Sequence, residues 1–352
     1  MQRINKVTEK ILPIDPAIIQ STQARLDNLT KPLGSLGRLE ELARQICGIT
    51  GKDAPLLAHK VIFTLAGDHG VTDEGVSAYP KEVTAQMVYN FLNGEAGINV
   101  LANHVGARVV VADIGVCVDL KPDPRLVLKK INYGTKNMAR GAAMSREEAI
   151  SSIYAGIEIF EHEYKKGIDI LGTGEMGIGN TTSASAITAC FTRKPVEEIT
   201  GRGAGLDDRG LQHKIDIIKK SLTINNPDPS NAIDVLEKVG GFEIGGLAGI
   251  ILAAAANRVP VVIDGFISGS AALIACGIEP VVKEYMIPAH CSVESGHKVV
   301  LDHLGLRPLL DLDLRLGEGT GGALAIGLAD AALKILNQMA TFKSACVSEK
   351  KK

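Results

Sequence analysis

Residues 167–186 read GIDILGTGEMGIGNTTSASA. An apolar run, Gly167 to Leu171, passes into closely spaced glycines and then into a stretch of Ser, Thr and Ala. That order reads as strand, tight turn, helix, the unit from which open α/β sheets are built. Gly172, Gly174 and Gly177 formally match G-x-G-x-x-G, in which bare backbone lets an anion approach the amides at a helix N-terminus. The match alone is weak. The dinucleotide fingerprint normally opens the fold's first unit and has an acid about 20 residues on. Here Glu197 and Glu198 follow Pro195, a helix-start context. A tight turn without ligand is the simpler reading; an anion site is the preferred one.

The same grammar repeats on both sides. VIFTLAG from Val61, ARVVVADIG from Ala107, VPVVIDGF from Val259 and LLDLDLRLG from Leu309 are the other strand candidates. They are apolar on both faces, as a parallel sheet covered by helices requires. PKEVTAQMVYNFLNG and SREEAISSIYAGIEIFEHEYKKG read as crossover helices. The expected fold is therefore α/β, an open, doubly wound parallel sheet with flanking helices. In SLGRLEELARQI, Leu36, Leu39, Leu42 and Ile46 fall at helical spacing, with Ser35 as the N-cap. Residues 1–50 and 325–345 are expected to pack as a small discontinuous helical subdomain. Residues 51–324 then form the α/β domain and 346–352 a polar tail. The polar, Pro-containing stretch 118–142 reads as an excursion between core elements.

Composition narrows the function. Aromatic residues make up 4% of the chain and Trp is absent, so stacking platforms for nucleic acid are not expected. The net charge of -2, without a basic stripe, argues against a phosphate-backbone footprint. The 6 cysteines are scattered with no C-x-x-C, which points away from a disulfide framework or zinc site and towards a reducing cytoplasm. The N-terminus lacks the apolar core of a signal peptide. The apolar run Ile244 to Ala256 is too short to span a bilayer and reads as a buried helix.

Several polar groups are candidates for chemistry. ITGRGAGLDD places Gly201, Gly203 and Gly205 around Arg202, ahead of a helix beginning near Leu206 that carries Lys214. Two glycine-rich turns opening helices favour a phosphorylated ligand. No GxxxxGK[ST] occurs, which disfavours a P-loop. AGDHGV ends the first strand with Asp68 and His69, where open sheets bind ligands. The bland alternative is an Asp capping a turn and a partly exposed His. AHCSVESGH holds His290, Glu294 and His297, but it is no H-E-x-x-H helix, and polar-loop roles are preferred to a metal. There is no G-x-S-x-G elbow. Finally, LRLGEGTGGALA sets one carboxylate, Glu318, between Gly317 and Gly319. A surface loop tolerates any polar residue there; a base needed close to a flat ring requires such bareness.

Taken in order, TKPLGSLGRLEELA, AGDHGV, GEMGIGNTTSASA, GRGAGLDD, GGFEIGGLAG, VPVVIDGFISGSAALIA, HCSVESGH and LDLRLGEGTGGALA closely resemble the nicotinate-nucleotide–dimethylbenzimidazole phosphoribosyltransferase family of cobalamin nucleotide-loop assembly. The resemblance runs from about residue 15 to 340, and the ordered set is far more specific than any one motif. It implies a Rossmann-like parallel sheet, a small domain from both chain ends and a homodimer. It also implies transfer of a 5-phosphoribosyl group from nicotinate mononucleotide to 5,6-dimethylbenzimidazole, without a metal or cofactor. By the same resemblance Glu318 is the general base, and Glu175 and Lys214 assist near the substrates. The glycine loops, with Gly174, Gly177, Asn180, Gly201 and Gly203, are expected to hold the nucleotide. Ser77, Tyr79 and Gln86 are expected to line the base pocket, and Asp68 to stand at the ligand end of its strand. Ala204 replaces the usual Thr of GRGTG, Ser295 replaces a proline, and Tyr79 stands where an apolar aromatic is common. Those departures leave the preferred base open, phenolic and purine-type bases included. A nicotinamide-dependent oxidoreductase, resting on GTGEMG, and a non-catalytic nucleotide binder are the rival readings. The first lacks the ribose-binding acid; the second leaves Glu318 unexplained.

Overall fold

The computed structural model describes residues 1–348. Its sheet has six parallel strands: β1 Lys60–Gly67, β2 Ala107–Gly115, β3 Leu126–Leu128, β4 Ile170–Met176, β5 Val261–Ile263 and β6 Met286–Pro288. Their order across the sheet is β3-β2-β1-β4-β5-β6. The chain builds outward from β1 in one direction and then restarts at β4 on the other side. Between β1 and β4 the order reverses, and ligands of open α/β sheets bind at the carboxyl ends of strands at such a point.

The central strands lie where their sequence placed them. β1 is paired on both edges and covered on both faces, so nearly every side chain along it is buried. Alternation still sorts the faces: Val61, Phe63 and Leu65 join one core, and Ile62 and Ala66 join the other. The first core gathers the helices Arg146–Tyr164, Asn180–Thr192, Phe242–Ala256 and Phe266–Ile278. The second gathers Pro16–Asp27, Arg38–Thr50, Glu82–Asn93, Gly97–Val105 and Thr320–Gln338. Helix Phe242–Ala256 is buried through all but its last residue, as its apolar sequence beyond Glu243 requires. It crosses helix Arg146–Tyr164 at glycine contacts. A Cβ on Gly156 would stand 1.9 Å from Gly246 O, and one on Gly249 2.1 Å from Ile153 O.

Some expectations need correction. LLDLDLRLG is not a strand. Only Leu310 makes a bridge, to His290, and the segment otherwise runs as irregular chain with Leu312 and Leu316 exposed. The fifth neighbour in the sheet is instead the short edge strand β6, and β3 lies inside the stretch read as an excursion. Ser35 does not cap the helix, which starts at Arg38 behind Gly37. Gly172 and Gly174 belong to β4 itself, so the turn is confined to residues 177–179.

The chain ends meet on one side. Leu29 bridges Thr341, and Thr30 N donates to Ala340 O. Helix Gln2–Thr8 packs separately, against Arg146–Tyr164 and Phe242–Ala256. Of the tail 346–352, residues 349–352 lie outside the described residues. Among the described residues no helix is long and apolar enough to cross a membrane.

Candidate active site

Glu318 stands in front of the reversal point. Gly317, Glu318 and Gly319 have φ of 79°, 63° and 98°, three left-handed residues in succession. For glutamate this conformation costs about 1 kcal/mol or more, so its surroundings must enforce it. Thr64 Oγ1, on β1, donates to Glu318 O at 2.9 Å. Gly174, on β4, backs directly onto the same peptide: a Cβ there would stand 2.1 Å from Glu318 O. Asp264, just beyond β5, accepts from Gly319 N at 3.2 Å and Gly322 N at 2.9 Å. It thus caps helix Thr320–Gln338, whose own N-cap is a glycine. The ends of three strands therefore hold one strained turn.

The Glu318 side chain is 4% exposed. Its Oε2 accepts from Ile98 N at 3.0 Å, the only hydrogen bond to the carboxylate among the described residues. Burial raises its pKa, helped by the charge of Asp264 and opposed by the Ile98 amide. The group is thus a better proton acceptor than an ordinary glutamate. Gly97 provides clearance beside it, since a Cβ there would stand 3.4 Å from Oε2.

Glu175 is the neighbour. A Cβ on Gly317 would stand 2.5 Å from Glu175 Oε1, and Asn180 Nδ2 donates to Oε2. Burial, then the charges of Glu243 and Asp264, push its carboxyl up to about 8, with Asn180 opposing. Asp264 is itself pushed up to about 7 by burial, against the amides of Gly322, Gly319 and Gly321. The buried acids at these strand ends are therefore biased towards holding protons.

Lys214, on helix Asp208–Asn225, reaches across to the start of helix Asn180–Thr192. It is buried, its Nζ donates to Thr181 Oγ1 at 2.7 Å, and burial brings its pKa down to about 8, against the charge of Glu294. Gly203, at φ 55°, passes close by, with a Cβ position 3.3 Å from Lys214 Nζ. Gly201 faces Glu294: a Cβ would stand 2.1 Å from Oε2, which has no hydrogen-bond partner among the described residues. Gly177 packs on Gly67 O and stands beside Asn180 Nδ2. So Glu318, Gly174, Glu175, Gly177 and Asn180 form one cluster. Thr181, next to Asn180, extends it to Lys214 and Gly203.

Other expected residues are tied less directly. Asp68 is buried, and its Oδ2 accepts from Cys117 N at 2.8 Å while Oδ1 has no partner among the described residues. Ser77 Oγ accepts from Tyr79 N at 3.2 Å. Tyr79 and Gln86 are exposed. Their segment joins the turn at Thr84, whose Oγ1 accepts from Ile178 N at 3.1 Å. His69 is 2% exposed, so the partly exposed reading is corrected. His290 and His297 meet edge to face with ring centroids 5.8 Å apart, and burial brings His297 down to about 3. Among the described residues no cluster of three or more His, Cys, Asp or Glu is arranged for a metal.

Sequence reasoning missed Asp264 and Glu243. Asp264 had a signal, an acid followed by glycine at the end of a strand candidate. Glu243 had none, because its role depends on a histidine 174 residues away. Surface grooves lie elsewhere, two along the β2–β3 edge with volumes of about 500 and 700 Å³ and a third of about 660 Å³ beside Lys31 and Phe342. None contains Glu318 or Glu175, and converging buried acids locate chemistry better than open volume does.

The chain is similar to known proteins along nearly its whole length. A family model described as Phosphoribosyltransferase matches residues 11–347. The nicotinate-nucleotide–dimethylbenzimidazole phosphoribosyltransferase of Geobacter sulfurreducens is 57% identical over 349 residues, covering 99% of each chain. That of Desulforudis audaxviator is 56% identical over 351 residues, covering 100% of this chain and 99% of its own. The crystal structure of the Thermus thermophilus enzyme of that name superposes with a TM-score of 0.91 at 42% identity, over 96% of this chain and 100% of that one.

Proposed function

The chain belongs to the nicotinate-nucleotide–dimethylbenzimidazole phosphoribosyltransferase family, and from that premise we propose how its own residues carry out the transfer. The enzyme moves the 5-phosphoribosyl group of nicotinate mononucleotide to 5,6-dimethylbenzimidazole, giving α-ribazole 5′-phosphate and nicotinate. The observation that carries the residue assignment is the buried carboxylate of Glu318, held in a left-handed turn at the sheet's reversal point.

The bond between C1′ and the pyridinium nitrogen breaks, and its electron pair returns to the ring, which leaves neutral at nitrogen. No general acid is required. C1′ gains oxocarbenium character, which nearby carboxylates stabilise electrostatically. One benzimidazole nitrogen attacks C1′, and the proton on the other passes to Glu318. One base is enough, and burial tunes it for the purpose. Lys214, with Gly201 and Gly203, receives the nucleotide phosphate. Gly177 and Asn180 shape the turn beneath it, and Gly174 contributes by fixing Glu318. Ser77, Tyr79 and Gln86 border the incoming base, and Asp68 braces the end of β1. Residues 1–50 and 325–345, apart from helix Gln2–Thr8, which packs on the α/β body, form the small helical subdomain, and two chains assemble as a homodimer.

Incubation with nicotinate mononucleotide and 5,6-dimethylbenzimidazole should release nicotinate and form α-ribazole 5′-phosphate in equal amounts. Binding without product would refute the reading. Sedimentation at several concentrations tests the dimer; a monomer throughout removes it.

A further inference from the structure

Asn180 and Ser183 are three residues apart at the start of helix Asn180–Thr192, so they share a face. Asn180 holds Glu175. Ser183 holds His69, with Oγ 3.0 Å from Nδ1. The other ring nitrogen, Nε2, lies 2.7 Å from Glu243 Oε1, and both side chains have 0% exposure. Ser183 Oγ donates to Gly240 O at 3.3 Å, which leaves it free to accept from Nδ1. The ring is thus tied at both nitrogens. Glu243 Oε2 has no hydrogen-bond partner among the described residues and faces glycines: a Cβ on Gly67 or Gly241 would stand 2.9 Å or 2.7 Å from it. Gly67 ends β1, and its carbonyl backs onto Gly177 in the turn that follows Glu175. Buried polar pairs gain little stability over apolar side chains of the same volume, so this one calls for another explanation.

We propose that His69 and Glu243 are positioning residues for the transfer: through Ser183 they fix the first turn of helix Asn180–Thr192, and with it the Asn180 amide that holds Glu175. Glu243 also acts on Glu175 through its charge. Burial first, then Glu243, then Asp264 and Glu318 hold the Glu175 proton, against the Asn180 hydrogen bond. The pair thus sets where Glu175 points. This inference rests on the phosphoribosyl transfer proposed above.

The test compares wild type, Glu243→Gln and Ser183→Ala by nicotinate release from nicotinate mononucleotide and 5,6-dimethylbenzimidazole, over roughly pH 6 to 9. Glu243→Gln keeps the side chain's size and an oxygen acceptor but removes its charge. Its kcat should fall roughly ten- to a hundredfold, the scale of a small misplacement. KM for the mononucleotide should stay within about twofold. A merely structural brace would lower Tm and leave kcat of the folded enzyme unchanged. In a folded Glu243→Gln protein, wild-type kcat overturns the proposal. Should that variant fail to fold, Ser183→Ala decides: lower kcat at unchanged KM supports the proposal, and wild-type kcat overturns it. A wild-type protein that releases no nicotinate overturns the transfer itself and this proposal with it, a failure visible before any substitution is made.

Discussion

At Glu318 a single side chain depends on partners from distant parts of the chain. Its carboxylate is placed by Ile98, its carbonyl by Thr64, and the next amide by Asp264. Glu318→Gln preserves that frame while removing the base. Turnover should fall by roughly 10²- to 10⁴-fold with mononucleotide binding retained, as read by nicotinate release and calorimetric titration. Near-wild-type turnover would remove Glu318 from the mechanism. Gly174 makes the complementary case. A Cβ there would stand 2.1 Å from a backbone carbonyl, not from a flexible side chain, so Gly174→Ala must displace the Glu318 turn. Its loss should appear in kcat more than in mononucleotide affinity. A Gly174→Ala protein with unchanged kcat would show that the turn relaxes without consequence. The isolation of Glu318 among glycines was legible in the sequence. Its burial and its single amide partner were not, because Ile98 lies 220 residues away.

The elements divide by how fully they are enclosed. β1, β2, β4 and β5 were legible because strands covered on both faces need long apolar runs. β3 and β6 have three residues each, and edge strands that short leave no periodic signal. LLDLDLRLG shows the converse. Its run of leucines reads as a strand, yet the chain must leave the sheet there to deliver Glu318 in a left-handed turn. The GRGAG segment carries its own prediction. Gly203 has φ 55° and stands 3.3 Å, at its Cβ position, from Lys214 Nζ. Gly203→Val should therefore raise KM for nicotinate mononucleotide; an unchanged KM would leave the loop with a structural role alone. In the terminal helices, Lys31 and Glu40 form an ion pair at 2.8 Å with side chains 5% exposed. Lys31→Met leaves Glu40 buried without its cation and should cost roughly 3 kcal/mol in urea unfolding. Adding Glu40→Leu should recover much of that; no recovery would mean the pair is not the source.

Over the whole molecule the buried acids link stability to pH. Glu175 loses its proton near 4.5 when unfolded and at about 8 when folded. Between those values the folded state holds more protons, so stability falls as pH rises through the interval. Lys214 works on the far side: its ordinary value is 10.5 and its folded one about 8, so above that its contribution rises with pH. Below 6.5, His290 and His297, held neutral by burial, also favour folding as pH rises and oppose the Glu175 effect. The window is therefore about pH 7 to 8, where Tm should fall in scanning calorimetry and Glu175→Gln should remove most of the fall, leaving the part due to Asp264, itself at about 7. An equal slope in that variant would sink the assignment. The sequence by itself determined the parallel α/β architecture, the glycine turns at strand ends and the lone acid near the C-terminus. Each of these is written in local composition and period, which a contiguous stretch can carry. Only the tertiary structure decided that Asp264 caps the turn beside Glu318, that His69 pairs with Glu243, and that Gly174 serves Glu318 rather than a loop. Those outcomes turn on distances between strand ends far apart along the chain, and on burial that exists only once the sheet has formed.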